Sequence, residues 1–264
     1  MLITSLGSGS TGNSTLICSD DTCILIDLGL SYRKMETALN TKGFKVGQLN
    51  AVFITHGHSD HASGVHTFRN RTKIPVFGTY ETSDIYVEQR GGYGGYQEMG
   101  VEIVNFIKEG TPEQVGDLTI EAIRVSHDAR HPVAYTVQNG NKKVAVVTDL
   151  GEGNALLRRR LKECNLVVIE ANHDPLLLEN GPYPETLKRR IRNPRGHLSN
   201  EQTGNILKSV MDSDTIPILA HLSQVNNTPQ IAIQTVHDVL REGGFKSNNL
   251  KALLPYNDPS EYRI

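Results

Sequence analysis

The stretch THGHSDHASG, residues 55–64, places three histidines and an aspartate within six positions. A single buried histidine is ordinarily a packing residue, but packing does not explain four metal-capable side chains at this density. Alternate residues of an extended or turning segment point to the same side, so His56 and His58 can bind one ion together. Asp60 and His61 then face a neighbouring position, where a helix begins. This separation into two pairs favours two ions, and ligands of this type suit zinc, manganese or iron.

The size and composition of the chain favour one compact domain over residues 1–264. This length is the upper end of a single domain or enough for two small ones, and no low-complexity segment or Pro/Ser-rich linker divides it. A formal net charge of −2 excludes a globally basic nucleic-acid binder but leaves local basic patches open. No signal peptide is evident, and no segment approaches the roughly 20 apolar residues of a membrane span. A cytoplasmic protein without a membrane partner is expected.

The three cysteines do not have the spacing of a zinc finger. Cys18 and Cys23 flank the sequence SDDT, which is typical of a hairpin turn, so they could face each other across two strands. A disulfide between them is one alternative. The expected reducing cytoplasm favours the other alternative, in which both remain thiols.

The hydrophobic pattern predicts strands and helices that alternate in each half of the chain. Predicted strands cover residues 15–19, 23–29, 51–56, 74–78, 118–127, 133–138, 143–151, 165–172 and 216–221. Predicted helices cover residues 31–42, 61–69, 79–89, 153–163, 200–212 and 228–242. Strands clustered in each half with helices between them favour a layered α/β domain. The repeated pattern LIDLG at 25–29 and VTDLG at 147–151 is consistent with two similar halves.

The motif THGHSDHASG resembles the His-x-His-x-Asp-His signature of the metallo-β-lactamase superfamily, and further motifs follow the superfamily's order over residues 27–221. The resemblance implies a four-layered αββα sandwich in which Asp27 supports the metal loop from behind. It also implies two groups of metal ligands that share Asp149, the first being His56, His58 and His127 and the second Asp60, His61 and His221. His131 is an alternative to His127, which we prefer because it ends a predicted strand that can fix its position.

Two later motifs resemble those of the nucleic-acid-processing branch of this superfamily. VVIEANHD places Glu170 at a strand end, and RGHLSNEQ places His197 before a helix. In that branch a histidine protonates the departing oxygen and a carboxylate orients the histidine, so His197 and Glu170 are candidate catalytic residues. Asp60 of the metal motif is the third candidate. The alternative is that His197 is an ordinary loop residue. About 20 residues separate Asp149 from Glu170, so the inserted cap domain of β-CASP nucleases is absent.

Basic residues precede His197 in the segment LKRRIRNPRGH, residues 187–197. Because basic side chains neutralise a nucleic-acid backbone, Arg189, Arg190 and Arg195 are candidate phosphate contacts, with a solvated helix face as the alternative. The same two interpretations remain open for RRRLK at 158–162.

Two glycine-rich segments also leave alternatives open. The loop GSGSTGNST at 7–15 could cradle a phosphate or simply connect two strands, but it lacks the lysine of an ATPase phosphate loop. GGYGGYQ at 91–97 could stack on a base, form a lid or be a plain turn.

The motifs taken together most closely resemble those of the bacterial YycJ (WalJ) family of cap-less exonucleases. The resemblance implies a two-metal phosphodiesterase that degrades DNA from 5′ to 3′, prefers double strands and takes part in mismatch repair. Alternatives are a hydrolase of RNA, a small phosphodiester or a thioester, and a binding module with structural metals. Neither polarity nor a choice of DNA over RNA follows from the residues themselves.

Overall fold

The described strands form two seven-stranded sheets. A computed structural model describes residues 1–83, 105–245, 249–256 and 258–264. The strands are β1 Leu2–Gly7, β2 Ser14–Cys18, β3 Cys23–Ile26, β4 Leu49–Phe53, β5 Val76–Gly78, β6 Asn105–Phe106, β7 Glu113–Val115, β8 Leu118–Arg124, β9 Val133–Asn139, β10 Lys142–Val147, β11 Leu166–Glu170, β12 Ile216–Ala220, β13 Lys251–Ala252 and β14 Glu261–Arg263. The strand order within the described residues is β14-β1-β2-β3-β4-β5-β6 in the first sheet and β13-β12-β11-β10-β9-β8-β7 in the second.

The helices lie between the strands in sequence and cover the outer faces of the sheets. They are α1 Tyr32–Thr41, α2 Ser59–Ala62, α3 Val65–Arg71, α4 Tyr80–Ser83, α5 Ala155–Leu161, α6 Pro175–Asn180, α7 Glu185–Arg192, α8 Asn200–Val210 and α9 Pro229–Glu242. The side chain of Thr228 accepts a hydrogen bond from the backbone N–H of Ile231 and so caps α9. Ser199 and Gln202 form a reciprocal capping box at the start of α8. Among the described residues, none of these helices has both the length and the apolar character that crossing a membrane requires.

Alternation along the strands separates the apolar side chains into layers. Ile24 and Ile26 of β3 pack between the two sheets, whereas Leu25 faces the helices over the first sheet. Leu157 of α5 and Val236 of α9 belong to a further core, which covers the outer face of the second sheet. This order of helix, sheet, sheet and helix confirms the predicted αββα sandwich.

Parallel strands bring several chain segments to one edge of each sheet. In the first sheet β3, β4 and β5 are parallel neighbours, and in the second β10, β11 and β12 are. Past the ends of β3, β10 and β12 the chain turns at Asp27, Asp149 and His221, whose φ angles are 67°, 54° and 54°. These left-handed conformations are uncommon for residues other than glycine, and they persist where the surrounding structure fixes them. All three residues belong to the site described below.

Several predicted boundaries were wrong. The predicted strands 23–29 and 143–151 end at Ile26 and Val147, before the left-handed turns at the aspartates. The predicted helix 61–69 is two helices, α2 and α3. A β-carbon on the intervening Gly64 would lie 2.3 Å from the carbonyl oxygen of Leu30, so the backbones approach too closely for a side chain.

The two cysteines flanking the predicted hairpin turn are joined. Cys18 and Cys23 pair across β2 and β3 with their Cα atoms 4.2 Å apart and form a disulfide, contrary to the expectation of free thiols. Cys164 is a buried free cysteine. Of the predicted helix 79–89 the structure describes Tyr80–Ser83, and GGYGGYQ lies outside the described residues.

Candidate metal centre

The first group of predicted ligands converges on a single small volume. The loop after β4 carries His56 and His58, whose Nε2 and Nδ1 atoms lie 3.0 Å apart. His127 Nε2 lies 3.2 Å from His58 Nδ1, and Asp149 Oδ2 lies 3.2 Å from His56 Nε2 and 3.9 Å from His127 Nε2. Ligands bonded tetrahedrally to zinc at 2.0–2.1 Å are about 3.3 Å from one another. The spacing of these four atoms therefore fits an ion at their centre.

The second predicted group consists of Asp60, His61 and His221, and it also includes Asp149. His61 Nε2 is 2.7 Å from Asp149 Oδ2 and 3.6 Å from Asp60 Oδ2, which lies 3.4 Å from His221 Nε2. Asp60 Oδ1 is buried and has no hydrogen-bond partner among the residues that the structure describes. Buried polar atoms are nearly always satisfied, so this oxygen fits a cation that would complete its interactions. The two groups share Asp149, as the family resemblance implies.

Hydrogen bonds to the outward-facing nitrogens orient four of the imidazoles. The pairs are His61 Nδ1 with Asp27 Oδ2 (2.7 Å), His56 Nδ1 with Thr55 Oγ1 (3.0 Å), His127 Nδ1 with the carbonyl oxygen of Gly196 (2.9 Å) and His221 Nδ1 with Glu170 Oε1 (2.8 Å). Partners of this kind fix the tautomer and the ring orientation of metal-binding histidines. Asp27 thus lies where the resemblance expects it, behind a ligand and not among the ligands.

The electrostatics of the centre also suit a cation. Burial lowers the pKa of His56 to about 4, and burial together with His56 and His127 lowers that of His58 to about 2, so both rings are neutral, as metal ligands must be. Burial would raise the pKa of Asp149, but His221 and His61 outweigh it and hold that pKa well below its usual value. Burial would lower the pKa of His61 and of His221, but the carboxylates, Asp149 foremost, raise both well above the usual value. Where no ion is bound, protons on these two rings balance the carboxylates, and a divalent ion would replace them.

A third group connects His197 to the ligands. Glu170 Oε1 lies 2.7 Å from His197 Nδ1 and 2.8 Å from His221 Nδ1. Its other oxygen accepts hydrogen bonds from the backbone N–H groups of Leu150 and Leu198 at 3.1 and 3.2 Å. Both oxygens of the carboxylate are therefore fixed by hydrogen bonds. Burial would lower the pKa of His197, but Glu170 and Asp149 raise it to about 9. His197 is therefore a protonated imidazole beside the ligand groups.

The loop between β1 and β2 contributes residues that the sequence reasoning missed. Asn13 Nδ2 lies 3.0 Å from His61 Nε2, and its Oδ1 accepts the N–H of Gly9 at 2.8 Å. The Oγ of Ser8 accepts the backbone N–H of His221 at 2.9 Å. The loop therefore packs against the second ligand group and is more than a strand connection. The density of Ser, Gly and Asn in the loop indicated a special backbone but not these contacts.

The structure distinguishes between His127 and His131. His131 has a left-handed φ of 43° and contacts Glu109, and it belongs to neither ligand group. His127 lies in the cluster with His56, His58 and Asp149. The predicted strand 118–127 was too long, since β8 ends at Arg124 and His127 lies in the loop that follows.

The predicted phosphate contacts border a groove of about 430 Å³ next to the first ligand group. The groove is lined by Asp128, Thr186, Arg189, Arg190, Asn193 and Arg195. Arg190 Nε donates to Asp128 Oδ2 at 2.5 Å, and Arg195 Nε donates to the carbonyl oxygen of His127 at 3.2 Å. Two other basic residues of this segment contact acidic or carbonyl groups outside the groove, namely Lys188 and Arg192.

The second basic segment has a structural role in the fold. Arg158 donates to Ser209 Oγ and to the carbonyl oxygen of Gly153, and Arg160 pairs with Glu121. These contacts tie α5 to neighbouring elements, so for Arg158 and Arg160 the structure favours packing over nucleic-acid contact. Arg159 and Lys162 of the same segment are exposed.

Comparison with known proteins agrees with this geometry. The family model described as "Beta-lactamase superfamily domain" matches residues 22–221. The chain belongs to this superfamily. Superfamily relatives include the exodeoxyribonuclease YycJ of Bacillus anthracis, which is 33% identical over 91% of this chain and 89% of its own length. The exodeoxyribonuclease WalJ of Streptococcus pneumoniae is 32% identical over 90% of this chain and 87% of its own length.

A solved structure supports the fold. Zn²⁺-bound PqqB from Methylobacterium extorquens superposes with a TM-score of 0.74 at 14% identity and covers 100% of both chains. With its family and its two groups of clustered ligands, this superfamily member is a metal-dependent hydrolase with a site for divalent metal.

Proposed function

We propose that the protein is a two-metal-dependent nuclease, a 5′-to-3′ exonuclease that acts on DNA, prefers double strands and takes part in DNA repair. The observation that carries this proposal is the contact of the Glu170–His197 pair with both the shared ligand Asp149 and the ligand His221. A proton donor beside a two-metal site is what cleavage of a phosphodiester needs on the side of the leaving group. The names of the two exodeoxyribonuclease relatives support DNA as the substrate and an end as the point of attack.

Each of the two proposed ions has a group of side chains that could hold it. His56, His58 and His127 would hold one, and Asp60, His61 and His221 the other, with Asp149 shared. When bound, such ions activate a water molecule and neutralise charge on the phosphate. Nitrogen and carboxylate ligands accept Zn²⁺, Mn²⁺ or iron, so the ligand set fits each of these.

His197 is the proposed general acid. Its Nδ1 donates to Glu170 Oε1, which leaves Nε2 as the nitrogen that can give its proton to the departing oxygen. Glu170 keeps the ring charged and fixes its direction. Because Glu170 also contacts His221, the acid is held at a constant position relative to the ligand groups.

The arginines of the groove would contact the nucleic-acid backbone. Arg190 and Arg195 are both attached to the dipeptide that contains the ligand His127, so a strand bound there would pass beside the metal centre. Such contacts position the substrate without reading its sequence.

The decisive experiment follows the fate of labelled ends. Single- and double-stranded DNA and RNA of one sequence, labelled at the 5′ or the 3′ end, would be incubated with the protein reloaded with Zn²⁺, Mn²⁺, Fe²⁺ or Mg²⁺. We expect immediate release of the 5′ label as a mononucleotide, fastest from duplex DNA, and none with the His58→Ala variant. Turnover of a small thioester or cyclic phosphate without cleavage of any nucleic acid would refute the nuclease. The repair role predicts a raised mutation frequency in cells that lack the gene.

A further inference from the structure

Asp128 lies between the metal centre and the arginine groove and has no role in the reaction described so far. Its Oδ2 accepts the bond from Arg190 Nε at 2.5 Å. Its Oδ1 lies 3.3 Å from His127 Nε2 and 3.9 Å from His58 Nε2, is buried, and makes no hydrogen bond within the described part of the chain. One carboxylate therefore reaches the arginine on one side and the ligand histidines on the other.

Arg190 differs from its neighbour Arg189 in how firmly it is held. Arg190 and Asp128 side chains are only 27% and 28% exposed, and they belong to different chain segments 62 residues apart. The side chain of Arg189 is 75% exposed and pairs with Glu185 of the same helix. An exposed pair within one helix contributes little, whereas a half-buried pair between segments restricts both side chains.

We propose that Asp128 is a positioning residue for nucleic-acid binding, which holds Arg190 at the metal side of the groove so that it contacts a backbone phosphate beside the scissile bond. The inference rests on the proposed nuclease function. An arginine side chain loses rotamer entropy when it is immobilised. Asp128 already restrains Arg190 before the substrate arrives. Arg190 therefore loses less conformational entropy when the nucleic acid binds.

Charge and positioning predict opposite results when Asp128 is replaced. A carboxylate beside a phosphate site repels the substrate, so its removal should tighten binding if Asp128 acts through charge alone. If Asp128 positions Arg190, its removal should weaken binding despite the lost repulsion. Whether the affinity for DNA rises or falls on replacement of Asp128 therefore distinguishes a charge effect from a positioning effect.

The test measures binding to the Zn²⁺-loaded protein with a fluorescent duplex whose phosphorothioate linkages resist hydrolysis. Anisotropy titrations over a salt series would compare the wild type with Asp128→Ala, Asp128→Asn, Arg190→Gln and Asp128→Ala/Arg190→Gln. We expect about fivefold to tenfold weaker binding for Asp128→Ala, and for Arg190→Gln a log Kd against log salt slope that is smaller by about 0.9. The double variant should bind no more weakly than Arg190→Gln, because the effect of Asp128 passes through Arg190.

Arg241→Gln, which removes one positive charge near the end of α9, is the matched control and should leave the affinity within twofold. Asp128→Asn keeps the shape of the side chain and covers the case in which the alanine variant does not fold. Unchanged or tighter binding by both Asp128 variants would overturn the inference, as would an additive double variant or the loss of bound Zn²⁺ from the Asp128 variants. A wild type that binds the duplex but never cleaves DNA would refute the nuclease function and with it the placement of Arg190 beside a scissile bond. Weaker binding by the Asp128 variants would then support a positioning role in nucleic-acid binding alone.

Discussion

Replacement of Asp27 by asparagine tests the arrangement behind the second ligand group. Asp27 is buried, and Thr55 Oγ1 lies 3.0 Å from each of its two oxygens. Oδ1 accepts the backbone N–H of Thr55 at 2.8 Å, and Oδ2 accepts the Nδ1 proton of His61 at 2.7 Å. Asparagine has one oxygen only. When this oxygen serves Thr55, the amide NH₂ group faces the Nδ1 proton of His61, and two donors oppose each other.

The expected cost follows from the loss of this support. To relieve this clash, either the Nδ1 proton of His61 moves to Nε2, which removes the lone pair that would bind the ion, or the ring changes its orientation. Both changes weaken His61 as a ligand. Removal of such a partner typically lowers metal affinity about 10- to 100-fold, which corresponds to about 1.4–2.8 kcal/mol. Asp27 touches the first ligand group indirectly, through Thr55 Oγ1, which also lies 3.0 Å from His56 Nδ1. Thr55 keeps its bond to His56 in the variant, so we expect the affinity of the first group to stay within about threefold.

Competition with a chromophoric zinc chelator measures both affinities in one titration. The Asp27→Asn protein should show one weakened class of site and one ordinary class. Asp117→Asn is the matched control, because Asp117 is exposed and bonds to Ser19 and Asn139 at a distance from the centre. Two classes with wild-type affinities, or two classes weakened equally, would refute the assignment of Asp27 to His61.

Three further predictions concern the acid, the core and the free cysteine. His197→Ala should lower kcat for DNA about 10²- to 10⁴-fold with Kd changed less than threefold, measured by single-turnover kinetics and anisotropy; an unchanged kcat would remove it as the acid. Phe53→Ala should cost about 3–5 kcal/mol of unfolding free energy in a urea titration, because its ring is fully buried against Phe77 and Tyr135; a loss below about 1 kcal/mol would contradict the packing. Burial raises the pKa of the Cys164 thiol to about 12, so a thiol reagent at pH 8 should react with it only after unfolding, and fast reaction of the native protein would contradict its burial.

The site could be predicted from the sequence where its ligands are neighbours in the chain. His56, His58, Asp60 and His61 must lie close together in any fold, because six residues cannot separate them far. The distant ligands, such as His127 and Asp149, were identified by the order of motifs and by their positions after apolar strands. These residues come together only because the two sheets pack face to face. No pattern among neighbouring residues predicts the distance between side chains on different sheets.

The residues that the sequence reasoning missed make contacts across long separations in the chain. Asn13 reaches His61 over 48 residues, and Asp128 reaches Arg190 over 62. A lone Asn or Asp has no periodicity or spacing to distinguish it from an ordinary loop residue. The short strands β6, β7, β13 and β14 were missed for a similar reason, because two or three residues form a strand only when a neighbouring strand supplies the hydrogen bonds. The longer strand β1 and the helices α6 and α7 were also not predicted.

The sequence by itself determined the layered α/β class, the two-pair ligand motif and the basic segment before His197, because each is a pattern among neighbouring residues. Only the tertiary structure decided that Asp149 Oδ2 belongs to both ligand groups, that His127 and not His131 faces the centre, and which arginines line the groove. The physical reason is that hydrophobic periodicity and spacing are local, whereas the distance between two side chains on different sheets depends on how the whole core packs.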